Sequence, residues 1–409
     1  MKPDDFNRRG FLKVGAAGTI GAALGCAPRL TSPARRATLY TPLCDLLGIT
    51  YPVLQSGMAP IGGPELAAAV SAAGGLGILG CAHQPPDEVR RRIREVRRHT
   101  DRPFGANLLL HEHVWPPIDT GSFSDDTVRR VHEVLNRLRA RLGLASRDDR
   151  PATRPNHVPA ALEVMLEERV PVFSVGLGNP PKDLVDRFHE IGSKVIAMVA
   201  TVDDARAVAA NGVDVIIAQG SDAGGHRSSW RKPPSPQHAA IGTMSLVPEV
   251  VQAVDVAVVA AGGISTGQGI VAALALGAQG VLIGTRFIAT VESLARDFYK
   301  SALIGANSDD TVITDVYSGL YARLLRNEYI EQYAASNAPT LSGYVQNSAN
   351  GDIVRAALTS ENRDYYPLWA GQGVGMVDEV LPAAAVLQAL MRDAEATLGA
   401  LARWTRATE

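Results

Sequence analysis

Residues Gln219-Gly-Ser-Asp-Ala-Gly-Gly-His226 directly follow the largely apolar run Val213–Ala218. A buried-type strand therefore ends in a loop with three glycines that delivers one histidine. Glycine lets a backbone come close to a flat or anionic ligand. Histidine is the side chain best suited to move a proton near neutral pH. Together Gln219, Gly224, Gly225 and His226 form a candidate ligand-facing loop with a general base. Two more segments have a chemical use: Ala261-Gly262-Gly263-Ile264-Ser265 and Ile283-Gly284-Thr285-Arg286-Phe287. Glycine turns that expose backbone N–H groups, with the Thr285 hydroxyl beside them, suit a phosphate. Gln55-Ser-Gly-Met58-Ala-Pro60 and Asn107 close two further apolar runs.

The elements that must position these residues alternate along the chain. Candidate strands are Pro52–Gln55, Gly77–Leu79, Phe104–Leu108, Pro171–Val175, Lys194–Val199, Asp214–Ala218, Ala257–Ala260 and Gly280–Ile283. Most are continuous apolar runs, as parallel strands covered on both faces require. Helical spacing falls between them at Glu65–Ala73, Pro86–Arg98, Asp126–Leu142, Pro159–Glu168, Lys182–Ile191, Val202–Ala210 and Thr266–Leu276. Eight strands alternating with helices predict an α/β fold, a (β/α)8 TIM barrel over residues 41–290. Its site should lie at the carboxyl ends of the strands, where all the segments above fall. The polar stretch 111–155 predicts an insertion or lid with its own helix. Residues 291–409 predict a helical segment packed on the barrel, with helices and loops over Glu292–Gln346 and a last helix over Pro382–Trp404.

The chain has 409 residues, 46% of them hydrophobic, so a sizeable core is possible. Its 40 Lys+Arg against 42 Asp+Glu leave no overall basic field to attract nucleic acid. Three cysteines, Cys26, Cys44 and Cys81, give neither a disulfide framework nor zinc spacing, and no metal site is expected. Residues 1–26 read differently. Arg8-Arg9-Gly-Phe-Leu-Lys13 followed by the uncharged stretch Val14–Cys26 resembles a twin-arginine export signal. Ala23-Leu24-Gly25-Cys26 resembles a lipoprotein box, with Ala where Leu is usual. Residues 27–40 form a linker. The expected location is periplasmic after twin-arginine export, with membrane attachment only through the signal or a lipid on Cys26.

Five ordered motifs carry a family resemblance: Gln55–Pro60, Pro103–Asn107, Gln219–His226, Ala261–Ile264 and Gly284–Phe287. The chain resembles the nitronate monooxygenases, FMN-dependent barrels, from about Thr41 to Thr290 and more weakly to Gly371-Gln372-Gly373. The resemblance implies that Met58 lies against the flavin and that Asn107 bonds flavin or substrate. It implies that Gln219 and Gly224 contact FMN, and that Gly263, Gly284 and Thr285 hold its phosphate. It makes His226 the base that removes the weakly acidic proton beside a nitro group. A small substrate and molecular oxygen are the implied reactants. Asp222 stands where the family usually has Glu. Leu282-Ile283 replace the family's usual residues before Gly-Thr-Arg-Phe, which implies loss of a side-chain flavin contact there. Gln372 is a weaker carry-over.

Other histidines invite blander explanations. His111-Glu-His113 has strand spacing that could pair two metal ligands, but no third cluster follows, and a surface or lid position is preferred. His83 follows the second strand and borders the expected site. The Arg90–Arg98 run fits a solvated helix face. Ser318, Gly319, Arg323 and Arg326 either touch substrate or pack the appended segment, the second being favoured. A related barrel family that oxidises IMP needs a cysteine after the sixth strand, and none is present. Two rival functions remain open. One is an NAD(P)H-dependent FMN reductase of the enoyl-ACP reductase type, whose motifs largely coincide. The other is a non-enzymatic exported binding protein.

Overall fold

The computed structural model describes residues 39–112 and 114–404. The export signal and Cys26 expected near the N-terminus, and His113, lie outside those residues. Eight parallel strands run around one sheet: β1 (Val53–Gln55), β2 (Gly77–Gly80), β3 (Phe104–Leu109), β4 (Val172–Gly176), β5 (Lys194–Val199), β6 (Val215–Gln219), β8 (Ala257–Ala261) and β9 (Gly280–Ile283). The last strand returns to the first, Val53 facing Val281. A Leu54–Leu76 bridge joins β1 to β2, with Leu76 N–H donating to the Val53 carbonyl at 3.0 Å. The fold is a (β/α)8 barrel.

Side chains alternate across each strand, and the packing divides accordingly. Val53, Leu79, Phe173, Val195, Ile216, Val258 and Val281 face outward into the core beneath the helices. Leu54, Ile78, Val172, Ile196, Val215, Ile217, Val259 and Leu282 face inward. Leu43, Cys44 and Leu47 of the short helix Pro42–Leu47 join that inner cluster. They plug the end of the barrel away from the glycine turns, and Gly280 is needed there because a Cβ would stand 2.5 Å from Leu43 Cδ2. Buried Cys44 acts as a small apolar filler.

One barrel helix escapes the periodic pattern. Thr243–Ala253 contains Pro248 and has no side-chain cap of its own. Its cap comes from Asp222, whose Oδ2 accepts the Thr243 N–H at 2.7 Å and the Thr243 hydroxyl at 2.6 Å.

The insertion and the appended segment share a core. Val128, Val131, Leu135 and Leu138 of helix Asp125–Arg141 pack against Tyr317, Tyr329, Tyr333, Ile353 and Ala357. Arg139 is fully buried; its guanidinium donates to the Asp352 carboxylate at 2.7 and 3.1 Å and to the Ala349 carbonyl at 2.6 Å. The appended part is not only helices and loops. β10 (Thr311–Thr314) pairs antiparallel with β11 (Ala322–Leu325), and β11 pairs with β7 (Gly225–His226). The appended segment thus grips the glycine-histidine loop directly. The last long helix, Ala383–Leu401, lies across helix Gly267–Ala275, so close that a Cβ on Gly267 would be 2.3 Å from the Ala394 nitrogen. Among the described residues no helix is long and apolar enough to cross a membrane.

Candidate functional site

The carboxyl ends of the barrel strands open into a cavity of about 400 Å³, in the size range of cofactor sites. Strand alternation decides its floor. Asn107, Leu109, Ser174, Gly176, Met198, Gln219, Ala261 and Leu282 are inward positions near the carboxyl ends of their strands, and all line it. Leu282 thus presents an apolar side chain to the cavity. Met58, Gly224, Gly225, His226, Gly262, Gly263, Gly284 and Thr285 line the same cavity.

Glycine has different reasons at different places. Gly262 and Gly263 adopt φ of 121° and 69°, and a Cβ on Gly262 would lie 2.6 Å from Thr243 Oγ1. Gly224 lets the appended segment approach, since a Cβ there would lie 2.5 Å from the Gly371 nitrogen. Gly284 is unlike these. It has an ordinary φ of −105°, and a Cβ would meet nothing nearer than Met58 Sδ at 3.5 Å. Packing alone does not demand glycine there, whereas a ligand pressed against that turn would. Thr285 Oγ1 accepts the Gly371 N–H at 3.0 Å, leaving its own proton to donate. These residues fit a flat ligand with an anionic tail, as FMN is.

Gln219 and Asn107 also bond within the protein. Gln219 Nε2 donates to the His226 carbonyl at 2.9 Å, and its Oε1 accepts the Ser228 N–H at 2.8 Å. Its amide therefore closes the loop that carries the histidine. Asn107 Nδ2 donates to the Ser174 carbonyl at 3.2 Å and the Ser174 hydroxyl at 3.1 Å. Arg227 and Arg323 hold the same loop from below, donating to the carbonyls of Gly220 at 2.6 Å, Gln219 at 2.7 Å and Ser221 at 2.7 Å. Burial pushes the Asp222 carboxyl up, but its two bonds from Thr243 outweigh this, and it stays below the usual carboxylate range. Gln372 does not line the cavity; its backbone N–H donates to the Asp222 carbonyl at 2.8 Å, while Gly371 and Gly373 do line it. Arg323 packs as favoured, also donating to Thr311 Oγ1 at 2.9 Å.

His226 sits where the barrel loop meets the appended segment. Its Nε2 is 2.8 Å from Ser318 Oγ and its Nδ1 is 3.4 Å from the Tyr344 hydroxyl. Tyr344 and Trp369 flank the ring, with centroids 5.1 and 5.0 Å away. Burial pushes its pKa down to about 3, and nearby His83 and His111 add to the effect. The imidazole is therefore neutral at ordinary pH. His83 stacks edge-on against Tyr344 at 4.7 Å and borders the cavity. Its pKa also lies below the usual value, through partial burial and then the charge of Arg154, although its solvent exposure tempers the shift. His111 is buried away from the cavity lining. The arginines between 90 and 97 bond Glu88, Glu95, Glu167 and Glu168 on the helix exterior, a paired charged face.

No local sequence signal marks Tyr344, Arg154 or Leu177. Arg154 faces the Tyr344 ring at 5.9 Å and has no carboxylate partner among the described residues. His83, Leu177 and Tyr344 all line the cavity with left-handed φ of 64°, 56° and 67°. Such strain in residues with side chains concentrates at functional sites.

The family model for nitronate monooxygenase matches residues 40–393. The chain belongs to the nitronate monooxygenase family. A probable nitronate monooxygenase of Staphylococcus haemolyticus is 35% identical over 336 residues, 81% of this chain and 90% of that protein. Among solved structures, nitroalkane oxidase from Streptomyces ansochromogenes aligns with a TM-score of 0.79 and 33% identity, over 88% of this chain and 99% of that one. FabK from Thermotoga maritima aligns at 0.70 and 31%, over 90% and 100%. This member of the nitronate monooxygenase family is an oxidoreductase.

Proposed function

We propose that the protein oxidises alkyl nitronates, and neutral nitroalkanes after deprotonation, with FMN and molecular oxygen. The observation that carries this reading is His226, held between Ser318 and Tyr344 on the wall of the cavity that the glycine turns also line. Met58, Asn107, Gly262 and Gly263 would flank the cofactor, and Gly263, Gly284 and Thr285 would hold its phosphate. When bound, FMN supplies the redox chemistry and its return to the oxidised form by oxygen. The protein's own part is proton removal and placement. His226, neutral well below pH 6.5, takes the proton from the carbon beside the nitro group. The product is an anion, and the Arg154 guanidinium on the cavity wall favours it. Tyr344 and Trp369 limit water around the base.

The His226→Asn variant tests the reading. Turnover of neutral nitroethane should fall about 10²- to 10⁴-fold, preformed nitronate should still be oxidised, and bound FMN should be retained. Equal loss on both substrates would remove the base role. The likeness to FabK favours one rival, an NAD(P)H-dependent FMN reductase. Rapid anaerobic bleaching of the flavin by NADH or NADPH would support that rival instead. We also propose twin-arginine export on the strength of Arg8-Arg9 and the stretch that follows. Replacing both arginines by lysine should keep the protein in the cytoplasm; unchanged export would refute this.

A further inference from the structure

We infer that Ser318 and Tyr344, both from the appended segment, fix the His226 tautomer, placing the ring proton on Nε2 and the basic lone pair on Nδ1. The inference rests on the proposed base role of His226.

The hydroxyl inventory of Ser318 leads there. Ser318 is buried, and its Oγ has three neighbours at bonding distance. It donates to the Leu320 carbonyl at 3.0 Å, accepts the Leu320 N–H at 3.3 Å, and meets His226 Nε2 at 2.8 Å. A hydroxyl has one proton and two lone pairs. The buried Leu320 carbonyl can only accept and has no other hydrogen-bond donor among the described residues, so the Ser318 proton goes to it; Ser318 then accepts from His226, and Nε2 carries hydrogen. The turn is held rigidly. Gly319 has φ of 78°, and a Cβ there would be 1.9 Å from the Leu341 carbonyl oxygen. The Tyr344 N–H donates to the Ser318 carbonyl at 3.0 Å, which ties the second residue to the first.

Nδ1 is then the open base. Its polar neighbour, the Tyr344 hydroxyl at 3.4 Å, is a long contact that a substrate C–H can displace. In the step itself the proton leaves carbon for Nδ1, and its electron pair stays on the substrate as nitronate. The Nε2–H of the resulting imidazolium keeps Ser318 Oγ as its acceptor, and Nδ1–H regains Tyr344 Oη as the nitronate moves off. Tyr344 turns its hydroxyl and keeps its own proton. Burial alone disfavours that imidazolium, and the two acceptors offset part of the cost. Both are positioning residues.

The test uses full-length protein purified with its cofactor and labelled with nitrogen-15 in histidine. The His226 signals are assigned by their absence in His226→Asn. At neutral pH the Nε2 shift should be that of a protonated nitrogen and the Nδ1 shift that of an unprotonated one. Ser318→Ala should mix the tautomers. It should lower kcat/KM for neutral nitroethane by about ten- to a hundredfold, the loss of one charge-assisted bond, with nitronate turnover changed less than twofold. Ser318→Thr should restore most of the loss, and Tyr344→Phe should show the same split between substrates, smaller. A proton on Nδ1 in the wild-type spectrum would overturn the inference, as would equal loss on both substrates in Ser318→Ala. Should His226→Asn keep nitroethane turnover, the base role fails, but the wild-type spectrum still decides the tautomer.

Discussion

The two ends of the cavity are built on different principles. The glycine end, Gly262–Gly263 and Gly284–Thr285, belongs to the barrel and works through backbone. The histidine end joins one barrel loop to segments far along the chain: Ser318 is 92 residues beyond His226 and Tyr344 is 118 beyond. It works through side chains. A backbone cradle needs only the absence of side chains at fixed strand ends, so a barrel can carry it alone. A base with a chosen tautomer needs partners at angles one loop cannot supply. The appended segment provides them: β11 pairs with Gly225–His226, Ser318 lies between β10 and β11, and Tyr344 precedes helix Val345–Thr359.

Loosening only the histidine end separates the two most sharply. Asp352→Ala strands the fully buried Arg139 guanidinium without its carboxylate, a cost of about 3–5 kcal/mol. Hydrogen exchange should speed up in helices Asp125–Arg141 and Val345–Thr359 while the barrel strands stay protected. Flavin retention should outlast nitroalkane turnover. If both ends failed together, the division would be wrong.

A smaller effect probes the other end. In Gly284→Ala the new methyl meets no protein atom within 3.4 Å, so Tm should change little. FMN retention, read from visible absorbance after gel filtration, should weaken about tenfold or more, because the methyl enters the cradle. Unchanged retention would mean that this turn does not touch the ligand.

The smallest expected change is with pH. His226 has its pKa lowered to about 3 by burial, so kcat/KM for nitroethane should stay flat from about pH 5 to 8. An acid limb near 6.5 would show a base in ordinary water. The same depression has a stability consequence. Between the folded value and 6.5 the unfolded chain binds more protons, so stability is full above about 6.5 and declines as pH falls towards 3. In His226→Asn that acid-induced decline should be shallower in urea titrations.

These two ends also differ in how legible they were. The eight barrel strands showed as apolar runs because parallel strands are covered on both faces, and their ends fixed the glycine cradle. Helix Thr243–Ala253 was missed because Pro248 interrupts its pattern and its cap comes from Asp222, 21 residues earlier. Strands Thr311–Thr314 and Ala322–Leu325 were missed because four-residue runs gain meaning only through pairing with Gly225–His226. Gln219 was legible as a strand-end position, whereas the bonds its amide makes inside its own loop were not. Tyr344 and Arg154 have no local signature, because what places them at the cavity is long-range packing.

The most direct test is an experimental structure of the protein purified with its own cofactor. The expected result is a flavin phosphate hydrogen-bonded at Gly263, Gly284 and Thr285, and the ring of His226 facing the bound isoalloxazine across the substrate space. A phosphate seated elsewhere, or an imidazole turned away from the flavin, would contradict it.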